Sequence, residues 1–211
     1  MSLDVARWLD DLADGLSEHG WMSFDMTPWL GSQLLQSLQQ EIIVLDQSDA
    51  LKAAGIGRGS APVRDRSVRR DKIAWLQGAT PAQLALFECL EDLRVGLNQR
   101  LFLGLKRVEA HYATYHSGDF YTAHVDSFQG RASRIVSFVL YLNDDWQPGD
   151  GGALQIYGRT NNNASDAVIL PEMGRVVLFM SEEIRHGVLE AHRTRYSLAC
   201  WFRQDEIPFL L

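Results

Sequence analysis

The apolar residues of this chain change period near its midpoint, from steps of three and four to steps of two. Val5, Trp8, Leu9, Leu12 and Leu16 recur at helical spacing, as do Leu34, Leu35, Leu38, Ile42 and Leu45, entered through Ser32. Leu86, Leu90, Leu93, Leu97 and Leu101 follow Thr80-Pro81, a cap and first-turn pair. From Arg107 onward, the runs Ile135 to Leu142, Ala153 to Tyr157, Arg175 to Met180 and Thr194 to Phe202 alternate with Gly, Asn, Asp and Pro clusters. That pattern predicts about eight short strands. Helices first and strands second lack the regular alternation of a doubly wound parallel sheet. The predicted class is α+β, mainly β: an antiparallel sandwich or barrel with amphipathic helices packed on its outside.

A chain of 211 residues, 46% of them apolar, fills one core well and two poorly. A single domain over 1–211 is expected, with helical support over 1–105 and a β core over 106–206. Residues 46–70, rich in Gly, Ala, Ser and Arg, are expected to form a long mobile loop. Within it and just beyond, Arg58, Arg64, Arg66, Arg69, Arg70 and Lys72 face only Asp65 and Asp71, a local charge of 6 − 2 = +4. The bland account is a solvated loop; the sharper one is a flap that closes over a macromolecular substrate. The whole chain carries 20 − 27 = −7, which argues against general attraction to nucleic acid or an anionic membrane.

Charged residues interrupt the first thirty positions, and no stretch approaches about 18 uninterrupted apolar residues. Two cysteines, Cys89 and Cys200, cannot build a disulfide framework or a four-thiolate zinc site and are expected as small buried hydrophobes. A cytoplasmic, monomeric protein with no membrane contact is expected.

His124 and Asp126 are two residues apart, so on an extended segment both project from one face toward a common cation. Alone, such a pair arises by chance. His186 follows the strand Arg175 to Met180 and a polar turn, and if neighbouring strands bring it beside the pair, the set is two imidazoles and one carboxylate. Such a face leaves about three coordination positions open, as non-haem iron(II) oxygenases require. His111, His116 and His192 lie off this pattern and read as ordinary surface or hydrogen-bonded histidines. Arg195 opens a strand on which Arg195, Ser197, Ala199 and Trp201 share one face. An inward arginine needs an anion, and Ser137 and Tyr141 share a face of their own strand and could offer hydroxyls to it. Together these residues describe a pocket for a small dicarboxylate.

In ordered combination, His124-x-Asp126, His186 and Arg195, with Arg70 to Trp75, Tyr141 to Trp146 and Gly151 to Leu154, resemble the 2-oxoglutarate- and iron(II)-dependent prolyl hydroxylases. The likeness covers Trp21 to Glu206 and is greatest to the hydroxylases that modify hypoxia-inducible factor and to their bacterial relatives. The resemblance implies a double-stranded β-helix, the jelly-roll or cupin-like barrel, with iron(II) on His124, Asp126 and His186. It places the distal carboxylate of 2-oxoglutarate on Arg195 and Tyr141, and Tyr115 near metal and cosubstrate. It implies substrate contacts by Arg134, by Trp201 on the pocket wall, and by Arg66 and Arg70 from the covering loop. Dioxygen as cosubstrate, ascorbate as reductant, oxygen sensing, and succinate and carbon dioxide as products follow from the same likeness. So does 4-hydroxylation of a proline in an intracellular protein, with elongation factor Tu, a substrate of bacterial relatives, as first candidate. Two alternatives stay open: the same chemistry on a nucleic-acid base or small molecule, and a barrel that senses metal and dicarboxylate without turnover.

Overall fold

The three long helices form where the apolar period places them, and side-chain caps open the first and the last of them. The computed structural model describes residues 4–55, 65–127, 134–159 and 165–205. Helix α1 (Val5–His19) starts at Asp4, whose carboxylate accepts from the Arg7 N–H, and stops at Gly20 with φ 78°. Strand β1 (Trp21–Asp25) and a single turn, α2 (Thr27–Leu30), lead into α3 (Ser32–Gln47). Strands β2 (Lys52–Ala53) and β3 (Lys72–Trp75) precede α4 (Pro81–Leu101), whose cap is the Thr80 hydroxyl accepting from the Gln83 N–H at 3.1 Å. The second half holds β4 (Arg107–Tyr115), β5 (Tyr121–His124), β6 (Arg134–Tyr141) and β7 (Leu154–Ile156). It continues with β8 (Ala167–Ile169), β9 (Arg175–Met180), β10 (His186–Val188) and β11 (Arg195–Arg203).

All pairings are antiparallel, in a seven-stranded sheet ordered β1-β9-β6-β11-β4-β3-β2 and a four-stranded sheet ordered β5-β10-β7-β8. Strand alternation sorts the core into two parts. Leu198, Cys200 and Phe202 of β11, with Phe138 and Leu140 of β6, point outward beneath Leu12 and Leu16 of α1, Leu38 and Ile42 of α3, and Leu90 and Leu97 of α4. The other face turns Ala113, Tyr115, Tyr141, Val177 and Phe179 toward Leu154, Ile156 and Val188 of the small sheet. The result is a double-stranded β-helix with helices outside, as expected. Cys89 and Cys200 are free thiols.

Two expectations need correction. The stretch read as helical support also supplies β1, β2 and β3 to the large sheet; strands of two to five residues carry too few positions to show a period. Nor is 46–70 loop throughout. Asp46 and Gln47 close α3, β2 pairs with β3, and segment 68–70 pairs with 120–122 through an Arg69–Tyr121 bridge and the bond from Thr122 N to Val68 O at 2.9 Å. Residues 56–64, with Arg58 and Arg64 of the basic stretch, lie outside the described residues, as does Glu206.

Candidate active site

The register of β4, β11 and β6 lays the site along the inner face of the large sheet. Arg195 pairs with Tyr115, Ser197 with Ala113 and Tyr141, Ala199 with His111 and Val139, and Trp201 with Glu109 and Ser137. Arg195 therefore marks one end of a ladder about 20 Å long, and Trp201 the other.

At the Trp201 end, His124 and His186 are direct cross-strand partners on β5 and β10, and Asp126 follows two residues after His124. One ligand atom from each of His124, Asp126 and His186 lies within 4.8 Å of the others. His124 Nδ1 lies 2.8 Å from Thr122 O and His186 Nδ1 lies 3.1 Å from Ile184 O. A carbonyl only accepts, so both Nδ1 atoms carry the proton and both Nε2 atoms present a lone pair. Asp126 Oδ2 accepts from Ser137 Oγ at 2.6 Å and from Trp201 Nε1 at 2.9 Å. Asp126 Oδ1 is left facing His124 Nε2 at 3.5 Å and His186 Nε2 at 3.8 Å. Three lone pairs pointing at one another with no donor among them is the arrangement a cation satisfies, and the donor set suits iron(II).

Electrostatics agree. Burial alone would raise the Asp126 carboxyl, but His186, His124 and the Ser137 hydrogen bond outweigh it and hold it well below the usual carboxylate range. Burial, then the neighbouring His124, push His186 down to about 4, so it is neutral and ligand-ready at neutral pH.

At the other end, Arg195 is 1% exposed, and among the described residues no carboxylate pairs with it. Its Nε donates to Gly152 O at 2.8 Å and its Nη1 to Ser197 Oγ at 3.0 Å. Its Cζ sits 4.9 Å from the ring centroids of both Tyr115 and Tyr141. Among the described residues the buried Tyr141 hydroxyl has no hydrogen-bond partner, and burial pushes it up to about 12. Gly152 bends with φ 65°, and a Cβ there would come 3.0 Å from Arg195 Cδ, which explains the glycine beside this pocket. An uncompensated guanidinium beside an unpaired phenol fits a carboxylate group.

The other expected residues fall as follows. Ser137 was read as a hydroxyl for the dicarboxylate; its Oγ is instead engaged with Asp126 and lies 2.8 Å from Ser181 Oγ, and Ser197 is the hydroxyl on Arg195. The reason is distance along the strand, since Ser137 pairs with Trp201 and not with the Arg195 end. Arg134 lies over the Trp201 ring at 3.7 Å and donates from Nε to Glu109 at 2.8 Å. Arg66 is exposed, and Arg70 bonds Arg66 O at 2.9 Å and stacks on Phe120. Their neighbour Arg69 grips Asp71 at 2.7 and 2.6 Å and covers Tyr121 at 4.4 Å. Tyr121, which spacing did not single out, stacks on His124 at 3.6 Å. A register shift between His186 and Val188 lets a residue three positions away reach the imidazole.

Gly187 adjoins the cluster on β10, and a Cβ there would meet Tyr121 O at 3.0 Å and Ala123 N at 3.1 Å. Backbone cannot swing aside, so Gly187→Ala will push β5 from β10 and part the two imidazoles. We expect manganese(II) affinity, read by electron paramagnetic resonance, to fall about tenfold or more; unchanged affinity would mean the strands absorb the methyl elsewhere.

His111 is also buried on this face, and burial pushes it down to about 4, with Asp71 pulling the other way. A folded value below the unfolded 6.5 means that the unfolded chain takes up the proton first. Stability is therefore complete above pH 6.5 and lost as pH falls toward 4, by up to about 3 kcal/mol for this one group. Urea unfolding of iron-free protein between those limits should show the slope, and His111→Met should remove this group's share of it, leaving the share of His186, which is held equally low.

The comparisons with known proteins agree with this geometry. The family described as "2OG-Fe(II) oxygenase superfamily" matches residues 110–203. A Pseudomonas putida prolyl-4-hydroxylase is 35% identical, with TM-score 0.82 over 94% of this chain and 100% of that one. A Trichoplax adhaerens prolyl hydroxylase, solved with a hypoxia-inducible factor peptide fragment, is 28% identical, with TM-score 0.84 over 94% of this chain and 90% of that one. Prolyl hydroxylase EGLN3 of Mus musculus is 26% identical over 98% of this chain and 88% of its own length. With a matching fold and a third of its residues shared with a bacterial enzyme along nearly its whole length, the chain belongs to the prolyl hydroxylase family of 2-oxoglutarate- and iron(II)-dependent oxygenases.

Proposed function

We propose that this chain 4-hydroxylates a proline of a cytoplasmic protein, acting as a monomer, with iron(II) on His124, Asp126 and His186 and the distal carboxylate of 2-oxoglutarate on Arg195 and Tyr141. The observation that carries the reading is the convergence of three lone-pair atoms within 4.8 Å beside the Trp201 end of the inner face whose other end holds a buried, uncompensated guanidinium. When bound, iron and 2-oxoglutarate supply the oxidising power, consuming dioxygen and releasing succinate and carbon dioxide.

The chain's own residues orient and shield. Ser137 and Trp201 hold Asp126 Oδ2, so that Oδ1 alone is offered to the metal. The carbonyls of Thr122 and Ile184 lock both histidines in the tautomer that ligates. Two imidazoles and one carboxylate would leave about three positions of a bound iron(II) open to the keto acid and dioxygen. Tyr115 and Tyr141, both buried, wall the anion end against water.

Likeness to a prolyl-4-hydroxylase and to an enzyme captured with a peptide supports a polypeptide substrate. So does the exposed indole of Trp75 beside Trp201, a surface on which a proline ring can pack. Among the described residues, no helix is long and apolar enough to cross a membrane. The first candidate substrate is elongation factor Tu. Incubated with iron-loaded enzyme, 2-oxoglutarate, dioxygen and ascorbate, it should gain the mass of one oxygen atom on a proline. Peptide mass spectrometry showing none, while the enzyme turns over 2-oxoglutarate, would remove that candidate.

A further inference from the structure

His111 is a buried imidazole that the chemistry above leaves unused. It is 4% exposed and stands on the inner face opposite Ala199 and Trp75. Its Nδ1 lies 3.1 Å from Tyr112 O, so Nδ1 carries the proton and Nε2 the lone pair. Nε2 points away from that backbone contact and has no hydrogen-bond partner among the described residues, yet it is not one of the sealed, unpartnered polar atoms. His111 is also no part of the metal cluster.

Its surroundings define a small recognition surface. The Trp75 ring meets it edge-on at 5.0 Å and Trp201 lies 5.1 Å away. Trp201 in turn donates to Asp126 and is covered by Arg134. Trp75 is 47% exposed, an unusual state for so large an apolar ring. An acceptor set between two indoles, one reaching the metal cluster and one reaching solvent, sits where a substrate chain must pass to present a side chain to iron. Proline offers no N–H of its own, so an acceptor here can read only the residues on either side of it.

We propose that His111 is a substrate-reading residue, its Nε2 lone pair accepting a hydrogen bond from a backbone N–H that flanks the target proline between Trp75 and Trp201. The inference rests on the prolyl reading and deepens it. Left unmatched in a closed complex, such an acceptor loses its contact with water and gains no donor in return. The enzyme thereby selects chains whose flanking amide is free to donate, and disfavours a second proline at that position.

The test uses the iron-loaded enzyme and a panel of synthetic peptides, each with one central proline and different flanks. The peptide with the highest turnover is remade with an N-methyl amide at each flanking residue in turn. One methylation should lower kcat/KM about tenfold in the wild type. In His111→Met the same methylation should have no further effect. In His111→Gln, whose amide oxygen can take the place of Nε2, the sensitivity should return, and the KM for 2-oxoglutarate should stay within about twofold in all three. If every methylation changes wild-type kcat/KM by less than about twofold, or if the full penalty persists in His111→Met, the proposal is overturned while the prolyl reading stands. The wild-type scan decides even where the methionine variant does not fold. If 2-oxoglutarate is consumed but no peptide gains oxygen on its proline, the prolyl reading falls and His111's role falls with it.

Discussion

Asp126→Ala will lower both hydroxylation and coupled succinate formation by at least about 100-fold, a larger loss than removal of an outer-sphere partner gives. The carboxylate contributes the only negative charge of the cluster, and its two oxygens have separate duties. Oδ2 is occupied by Ser137 and Trp201, and Oδ1 faces the two Nε2 atoms. Asp126→Asn makes the sharper test, because it keeps the size and one oxygen. The donors Ser137 Oγ and Trp201 Nε1 will capture that oxygen and turn the amide NH2 toward the imidazole lone pairs, where a metal would otherwise sit. The asparagine variant should therefore be as inactive as the alanine variant and should lose manganese binding, with its circular dichroism unchanged. Wild-type manganese affinity in either protein would remove Asp126 from the metal.

Much of this site was legible because strands in register convert a sequence period into a face. Arg195, Ser197, Ala199 and Trp201 were placed together by alternation alone, and β11 keeps them so over its whole length. The convergence of His124 and His186 was not legible from spacing, because 62 residues separate them and only the pairing of β5 with β10 closes that gap. Ser137 shows the limit of reasoning by face: it shares the inner face with Tyr141 but lies four residues further along the ladder, beside Asp126. Tyr121 and Arg69 were missed because each acts through irregularity, the first through a register shift and the second through a single bridge outside any strand. At Arg69, Arg70 and Asp71 alternation does hold, since it is Arg69 and Asp71 that turn toward Tyr121 while Arg70 turns to Phe120.

Arg195→Met will separate function from stability, moving the two in different directions. The side chain is 1% exposed, and among the described residues it has a carbonyl and a hydroxyl for partners but no carboxylate. In the ligand-free enzyme its charge is therefore a cost, offset by those two neutral acceptors and by the faces of the Tyr115 and Tyr141 rings. Methionine retains most of the apolar stem without the charge. We expect the iron-free variant to unfold at a urea concentration equal to or above the wild type, since replacing buried charge by apolar volume is neutral or stabilising by up to about 4 kcal/mol. If Arg195 holds the keto acid as proposed, the same change removes its charged partner, a loss of about 2–5 kcal/mol when one side of a buried charged pair is truncated. The KM for 2-oxoglutarate should accordingly rise by about 30-fold or more. Thermal shift links the two effects. At about 100 times its Kd, oxalylglycine with manganese should stabilise the wild type by about 2.7 kcal/mol and the variant hardly at all. Arg195→Lys should fall between, because an ammonium keeps the charge and loses the fork. If Arg195→Met instead unfolds more easily by over about 2 kcal/mol and still answers to oxalylglycine, the guanidinium is a structural group and the anion end of the ladder lies elsewhere.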